Sequence, residues 1–207
     1  MRLGRVVLLG LCLCAAAGVP VWAVITGSEH DFSNASWNSS GETCVVCHAP
    51  HGGTPLSDAP LWNHSLTTQN FTLYTSPTLD ATDVAQPTGA SRLCLSCHDG
   101  TIALDSFGGS SSGTHFVGNP IATGGNLNSE HPISFTYDDA LATTDGELFV
   151  PSTTASGLGG TIAGDLLFNN KVECASCHDV HNALGTGGNL LVKSNAGSGL
   201  CLTCHAK

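Results

Sequence analysis

Basic residues are scarce in this chain: Lys and Arg total 6 against 16 Asp and Glu, for a formal net charge of −10. Such an acidic polypeptide repels nucleic acid and anionic lipid, so neither is an expected partner. Methionine is absent after Met1, which leaves no internal thioether ligand. Aromatic residues make up only 6% of the chain, whereas glycine alone contributes 25 residues. A loop-rich chain of this kind buries too little apolar surface to offset its conformational entropy, so something besides side chains is expected to fill the core.

Long apolar runs are absent but for one, Val6 to Val19, which follows Arg2 and Arg5 and precedes Val21-Trp-Ala23. This is the layout of a secretory signal peptide, expected over residues 1–23, and the run is too short to favour a retained span. Cys12 and Cys14 lie inside it and each follows Leu, where a lipoprotein cleavage site needs a small residue. Both are expected to be removed with the signal. The mature chain is expected to start near Val24, to be soluble with no membrane span, and to be secreted. Its four basic residues, Arg92, Lys171, Lys193 and Lys207, face all sixteen acidic ones, a formal −12.

Eight cysteines remain, and they form four identical units. These are Cys44-Val-Val-Cys47-His48, Cys94-Leu-Ser-Cys97-His98, Cys174-Ala-Ser-Cys177-His178 and Cys201-Leu-Thr-Cys204-His205. Cys-x-x-Cys-His is the attachment signature of c-type haem: two thiols form thioethers to one porphyrin edge, and the next His sits under the iron. A half zinc site, a thioredoxin-like redox pair or paired disulfides need no His after the second Cys. Four such neighbours by chance have a probability on the order of 10⁻⁵. The expected cofactors are four covalent haems, with His48, His98, His178 and His205 as proximal ligands.

With no internal methionine, the sixth position of each iron falls to histidine. Six remain: His30, His51, His64, His115, His131 and His181. His51 and His181 follow a proximal ligand by three residues. On the same side of a helical turn they cannot reach the far face of their own haem, and so are expected to bind another, forcing two haems together. Pro132 holds His131 extended; His30 occupies the matching upstream place, and His64 has Trp62 beside it. His115, in a Gly/Ser loop, is expected to be an ordinary surface residue.

The units repeat in pairs. His48-Ala-Pro-His51 matches His178-Asp-Val-His181, and Leu93-Cys-Leu-Ser-Cys-His98 matches Leu200-Cys-Leu-Thr-Cys-His205. The chain reads as a duplicated two-site module, roughly 28–100 and 129–207. The expected division is a first dihaem module at 24–105, a Gly/Ser/Thr-rich middle region at 106–165, and a second dihaem pair at 166–207 with His131 upstream. The fold class expected is mostly coil with short helices and few short strands, cored by haem. Helix is expected as short turns through each motif, and short strands in Ile133 to Tyr137 and Glu147 to Val150.

Together with His30-Asp-Phe, Leu61-Trp-Asn-His64 and His131-Pro-Ile-Ser-Phe, these strings resemble secreted multihaem cytochromes of metal-reducing bacteria. Some members of that family are tetrahaem or hexahaem proteins that polymerise into extracellular filaments (nanowires) of stacked haems, in which a His of one subunit completes the iron of the next. The resemblance implies extracellular electron transfer by a homopolymer, with His51 the first candidate for an inter-subunit ligand and His181 the second. It also implies redox partner proteins or extracellular acceptors, and a location outside the cell or at its surface. A soluble periplasmic shuttle is the alternative. A multihaem oxidoreductase needs an iron with a free site; the supply of histidine argues for a carrier rather than an enzyme.

Overall fold

The computed structural model of the chain describes residues 24–56, 59–183 and 189–207, so the expected signal peptide lies outside the described residues. The fold is mostly coil, with few short helices and two small sheets. Strands β1 (Thr54–Leu56) and β2 (Ala59–Trp62) pair antiparallel, as do β3 (Phe135–Thr136) and β4 (Lys171–Val172). Helices α1 (Gly89–His98), α2 (Asp139–Asp145), α3 (Ile162–Asp165) and α4 (Cys201–Cys204) range from ten residues down to four. No helix among the described residues is long and apolar enough to cross a membrane.

Two small apolar clusters replace a single core. One gathers Phe135, Tyr137, Ala142, Ile162, Leu166 and Val172, much of it from the 106–165 segment. The other gathers Phe71, Leu95, Ala122 and Leu127 around α1. A fully buried Leu or Ile contributes roughly 1.5–3 kcal/mol, and neither cluster holds many.

Two local expectations need correction. Helix is expected only through the motifs, yet the middle region contains α2, because Asp138 caps it by accepting from the Leu141 amide and Gly146 ends it in the left-handed conformation (φ 74°). The segment read as a strand at 147–150 pairs with no strand. It runs instead along the last motif, where Leu148 bridges His205 and the Phe149 amide donates to the Cys204 carbonyl at 2.8 Å.

Candidate functional site

Each motif is wound as one turn. The amide of His48 donates to the Cys44 carbonyl (2.8 Å), that of His178 to Cys174 (3.0 Å) and that of His205 to Cys201 (3.0 Å); the second motif ends α1. At 3.6 residues per turn, this brings the two cysteines and the histidine to one side. The first motif forms this bond within plain turns rather than a helix.

The duplication read from the sequence extends to backbone contacts. After the first motif, β2 returns along it: Ala49 N donates to Leu61 O (2.8 Å) and Asn63 N to Cys47 O (3.0 Å). After the third, Asp179 N donates to Leu190 O (2.6 Å) and Val192 N to Cys177 O (2.9 Å). Leu61 and Leu190 both adopt positive φ, 56° and 49°. Each return delivers a carbonyl to the proximal imidazole: His48 Nδ1 lies 2.8 Å from Pro60 O, and His178 Nδ1 lies 2.9 Å from Asn189 O. A hydrogen bond from Nδ1 fixes the tautomer and leaves Nε2 free to bind metal. Sequence reasoning missed these carbonyl partners, since any residue offers a carbonyl and no side-chain pattern marks it.

Three pairs of imidazoles face one another. Ring centroids lie 5.9 Å apart for His30 and His98, 6.1 Å for His48 and His181, and 6.4 Å for His131 and His205. Each pair could hold one metal ion between its rings, His30 with His98, His48 with His181 and His131 with His205. His48 and His181 are nearly parallel, at 15°. His131 directs Nδ1 to the Pro132 carbonyl at 2.8 Å. Burial lowers the pKa of His30, His98 and His205, and the facing or neighbouring histidine lowers each further. All three are thereby held in the neutral form a metal requires.

The pairing repeats with the module. The upstream His of each half faces the second motif of that half. The first motif of the first half faces His181, from the second half. The matching pair would be His178 with His51, but both are exposed, and no imidazole among the described residues packs on either. His64 is buried at 5% exposure between Trp62 and Phe107, with centroids at 5.8 and 6.1 Å, and faces no proximal histidine. Its place in the second half, after Val192, is taken by Lys193. His115 is exposed and held by Asp105 at 3.0 Å.

The motifs also lie beside one another in order. Cys94 and Cys174 lie beside each other; the interaction, with burial, pushes Cys94 up, and holds Cys174 down against its burial. Burial, then the neighbouring Cys47, raises Cys97 to about 12. Burial raises Cys204 to about 11, with Cys177 adding to it. First neighbours second, second neighbours third, third neighbours fourth. The eight cysteines among the described residues are free thiols, as thioether attachment requires. Trp62 Nε1 and the Nδ1 atoms of His30 and His64 are buried without a partner, which is unusual unless a further polar group belongs there. Paired imidazoles, free thiols and orphaned donors fit covalently held haem. Bound there, haem would supply redox-active iron, while the chain orients the imidazoles and brings successive motifs together.

A family model described as "Doubled CXXCH motif" matches residues 168–207. No curated protein matches the chain. The match and the site geometry support a multihaem c-type cytochrome that transfers electrons, with haem attached through Cys-x-x-Cys-His units.

Proposed function

We propose that the chain conducts electrons outside the cell through four closely spaced c-type haems, each between two histidines, and that it polymerises head to tail into a filament. One observation carries the assembly: the ligand pattern of the duplicated module is open at one end. The first half takes His181 from the half that follows it. His178 lacks an opposing imidazole among the described residues, and the residue equivalent to His181 is His51, also exposed. If each half takes this ligand from the next, His178 takes His51 of a second copy. Such an interface is heterologous, and repeated without closure it generates a filament. An acidic surface keeps the secreted polymer soluble.

Electron microscopy of haem-loaded protein from culture supernatant tests this directly, with regular filaments expected. His51→Ala is expected to yield discrete particles only, with one haem per chain open to carbon monoxide. Discrete particles from the unaltered protein, with every haem six-coordinate, overturn the filament and leave a tetrahaem periplasmic shuttle.

A further inference from the structure

Two carboxylates are buried inside the motif array: Asp99 at 4% exposure, directly after His98, and Glu173 at 3%, directly before Cys174. Asp99 accepts from Thr67 Oγ1 (2.5 Å), Thr101 N (2.7 Å) and Thr101 Oγ1 (2.6 Å). Glu173 accepts from Ser134 Oγ at 2.8 Å and from Ser91 N at 3.3 Å, in the first turn of α1. The Thr101 and Ser91 amides can only donate, and the hydroxyls of Thr67, Thr101 and Ser134 are placed to do the same, an arrangement suited to a carboxylate.

Neither has an ion-pair partner among the described residues, where the pairs are His115–Asp105, His181–Asp179 and Lys207–Glu147. Arg92 donates to the Thr67 carbonyl and Lys171 to the Ser134 carbonyl, and neither cation bonds to either carboxylate. An unpaired buried charge is costly. It is retained where a charge of opposite sign belongs nearby.

The duplicated module contains its own comparison. Asp99 of the second motif corresponds to Ala206 after the fourth, and Glu173 before the third motif corresponds to Thr43 before the first. The outer motifs therefore carry neutral residues where the inner two carry buried carboxylates. The acids near the outer motifs are less buried: Asp179, 3.9 Å from His181 Nδ1, keeps 26% of its side chain exposed, Asp145 beside His205 is half-buried, and Glu42 and Glu147 are exposed, so water and salt screen them more. The inner motifs are also joined directly, the Cys174 amide donating to Ser91 Oγ in α1 at 2.9 Å.

We propose that Asp99 and Glu173 make the second and third haems the two lowest-potential centres of the four, placing a well of reducing power at the middle of the chain and higher potentials at its ends. Reduction adds one electron to a ferric iron and removes its net positive charge. A fixed buried anion opposes that step and favours the oxidised form, since local charge and hydrogen bonding set a haem's potential. No proton need move. Asp99 and Glu173 are thus positioning residues for charge, not ligands.

The proposal rests on haem attachment at all four motifs, and haem count per chain, from mass and pyridine haemochrome, tests that separately. Spectroelectrochemical titration of the loaded protein tests the proposal. Two of four midpoints are expected to lie below the others. Asp99→Asn and Glu173→Gln keep the shape, with the Asn oxygen still accepting from Thr101 and its amide nitrogen able to donate to the Thr67 hydroxyl; each is expected to raise one low midpoint. The expected size is on the order of a tenfold change in the ferric-to-ferrous ratio at fixed potential, equivalent to about 59 mV for one electron. Asp80→Asn, at an exposed site, is the control and is expected to move nothing. Should either variant fail to load haem, the other carries the test. With haem count and circular dichroism unchanged, midpoints that stay fixed in the loaded variants, or a shift confined to the higher pair, overturn it.

Discussion

A histidine three residues past a motif and a histidine between two aromatic rings look alike as candidate ligands, but the structure gives them different surroundings. His181 packs on His48 at 6.1 Å, nearly parallel. His64 packs on Trp62 and Phe107 and faces no proximal ring. His181→Ala is therefore expected to convert one of the haems to a high-spin, carbon-monoxide-binding form, seen by absorption and resonance Raman spectroscopy. His64→Ala is expected to leave every haem low-spin while lowering the melting temperature, because it empties a buried site. A high-spin haem in His64→Ala would make His64 a ligand and reverse this assignment. The helical-turn argument sends His181 away from its own motif, and that much is legible in spacing alone. Spacing does not say which motif receives it, because that depends on how the two halves fold against each other. Glu173 and Asp99 were invisible for a related reason: nothing in a sequence marks a carboxylate as buried until its hydroxyl partners, Thr67 and Ser134, are brought from afar.

At the scale of elements, the motif turns were legible because Cys-x-x-Cys-His defines both chemistry and winding. The short α2 could have been read from its punctuation, with Asp138 at its start and Gly146 at its end, in a stretch otherwise rich in Thr and Asp. The return of β2 along the first motif was not legible, since it depends on one close approach of backbones. A Cβ built on Gly53 meets the Leu61 carbonyl carbon at 2.5 Å. Backbone cannot swing aside as a side chain can, so Gly53→Ala is expected to cost about 1–3 kcal/mol and to pull Pro60 off His48. Thermal unfolding followed at the Soret band checks both effects together; an unchanged midpoint would mean the return is looser than described. The strand β3 is held differently, by a carboxylate. Asp83 accepts from Thr136 Oγ1 at 2.7 Å and from Thr136 N at 3.1 Å. The Thr136 hydroxyl, chiefly, holds the Asp83 pKa below the ordinary 3.8 despite a small opposing effect of desolvation. The folded state thus binds this proton less tightly than the unfolded state, and stability from Asp83 is complete above 3.8 and lost as pH falls through the depressed value. Asp83→Asn is expected to lower stability near neutrality and to shrink its loss on acidification below 3.8, read by urea unfolding across that range.

For the molecule as a whole, the central question is what compensates for ordering so much coil. Fixing each residue's backbone costs about 1–2 kcal/mol, while the apolar clusters together hold only ten buried residues. Around the last motif the dependence is visible: the Tyr137 hydroxyl donates to the Phe149 carbonyl at 2.6 Å and lies 3.4 Å from that of Cys204. The apolar cluster and the motif thus share one anchor. If each of the four motifs holds a haem, the macrocycles are large enough to act as the missing core. The chain without haem is accordingly expected to lack cooperative unfolding, and the loaded chain to melt sharply. Losing one attachment site, as in Cys201→Ser with Cys204→Ser, is expected to give a protein with three haems and a lower melting temperature. Calorimetry on the unloaded, three-haem and four-haem forms, with mass spectrometry to count haems, separates the cases. A sharp calorimetric transition in the unloaded chain would show that side chains alone suffice, and the low aromatic content would then need another explanation.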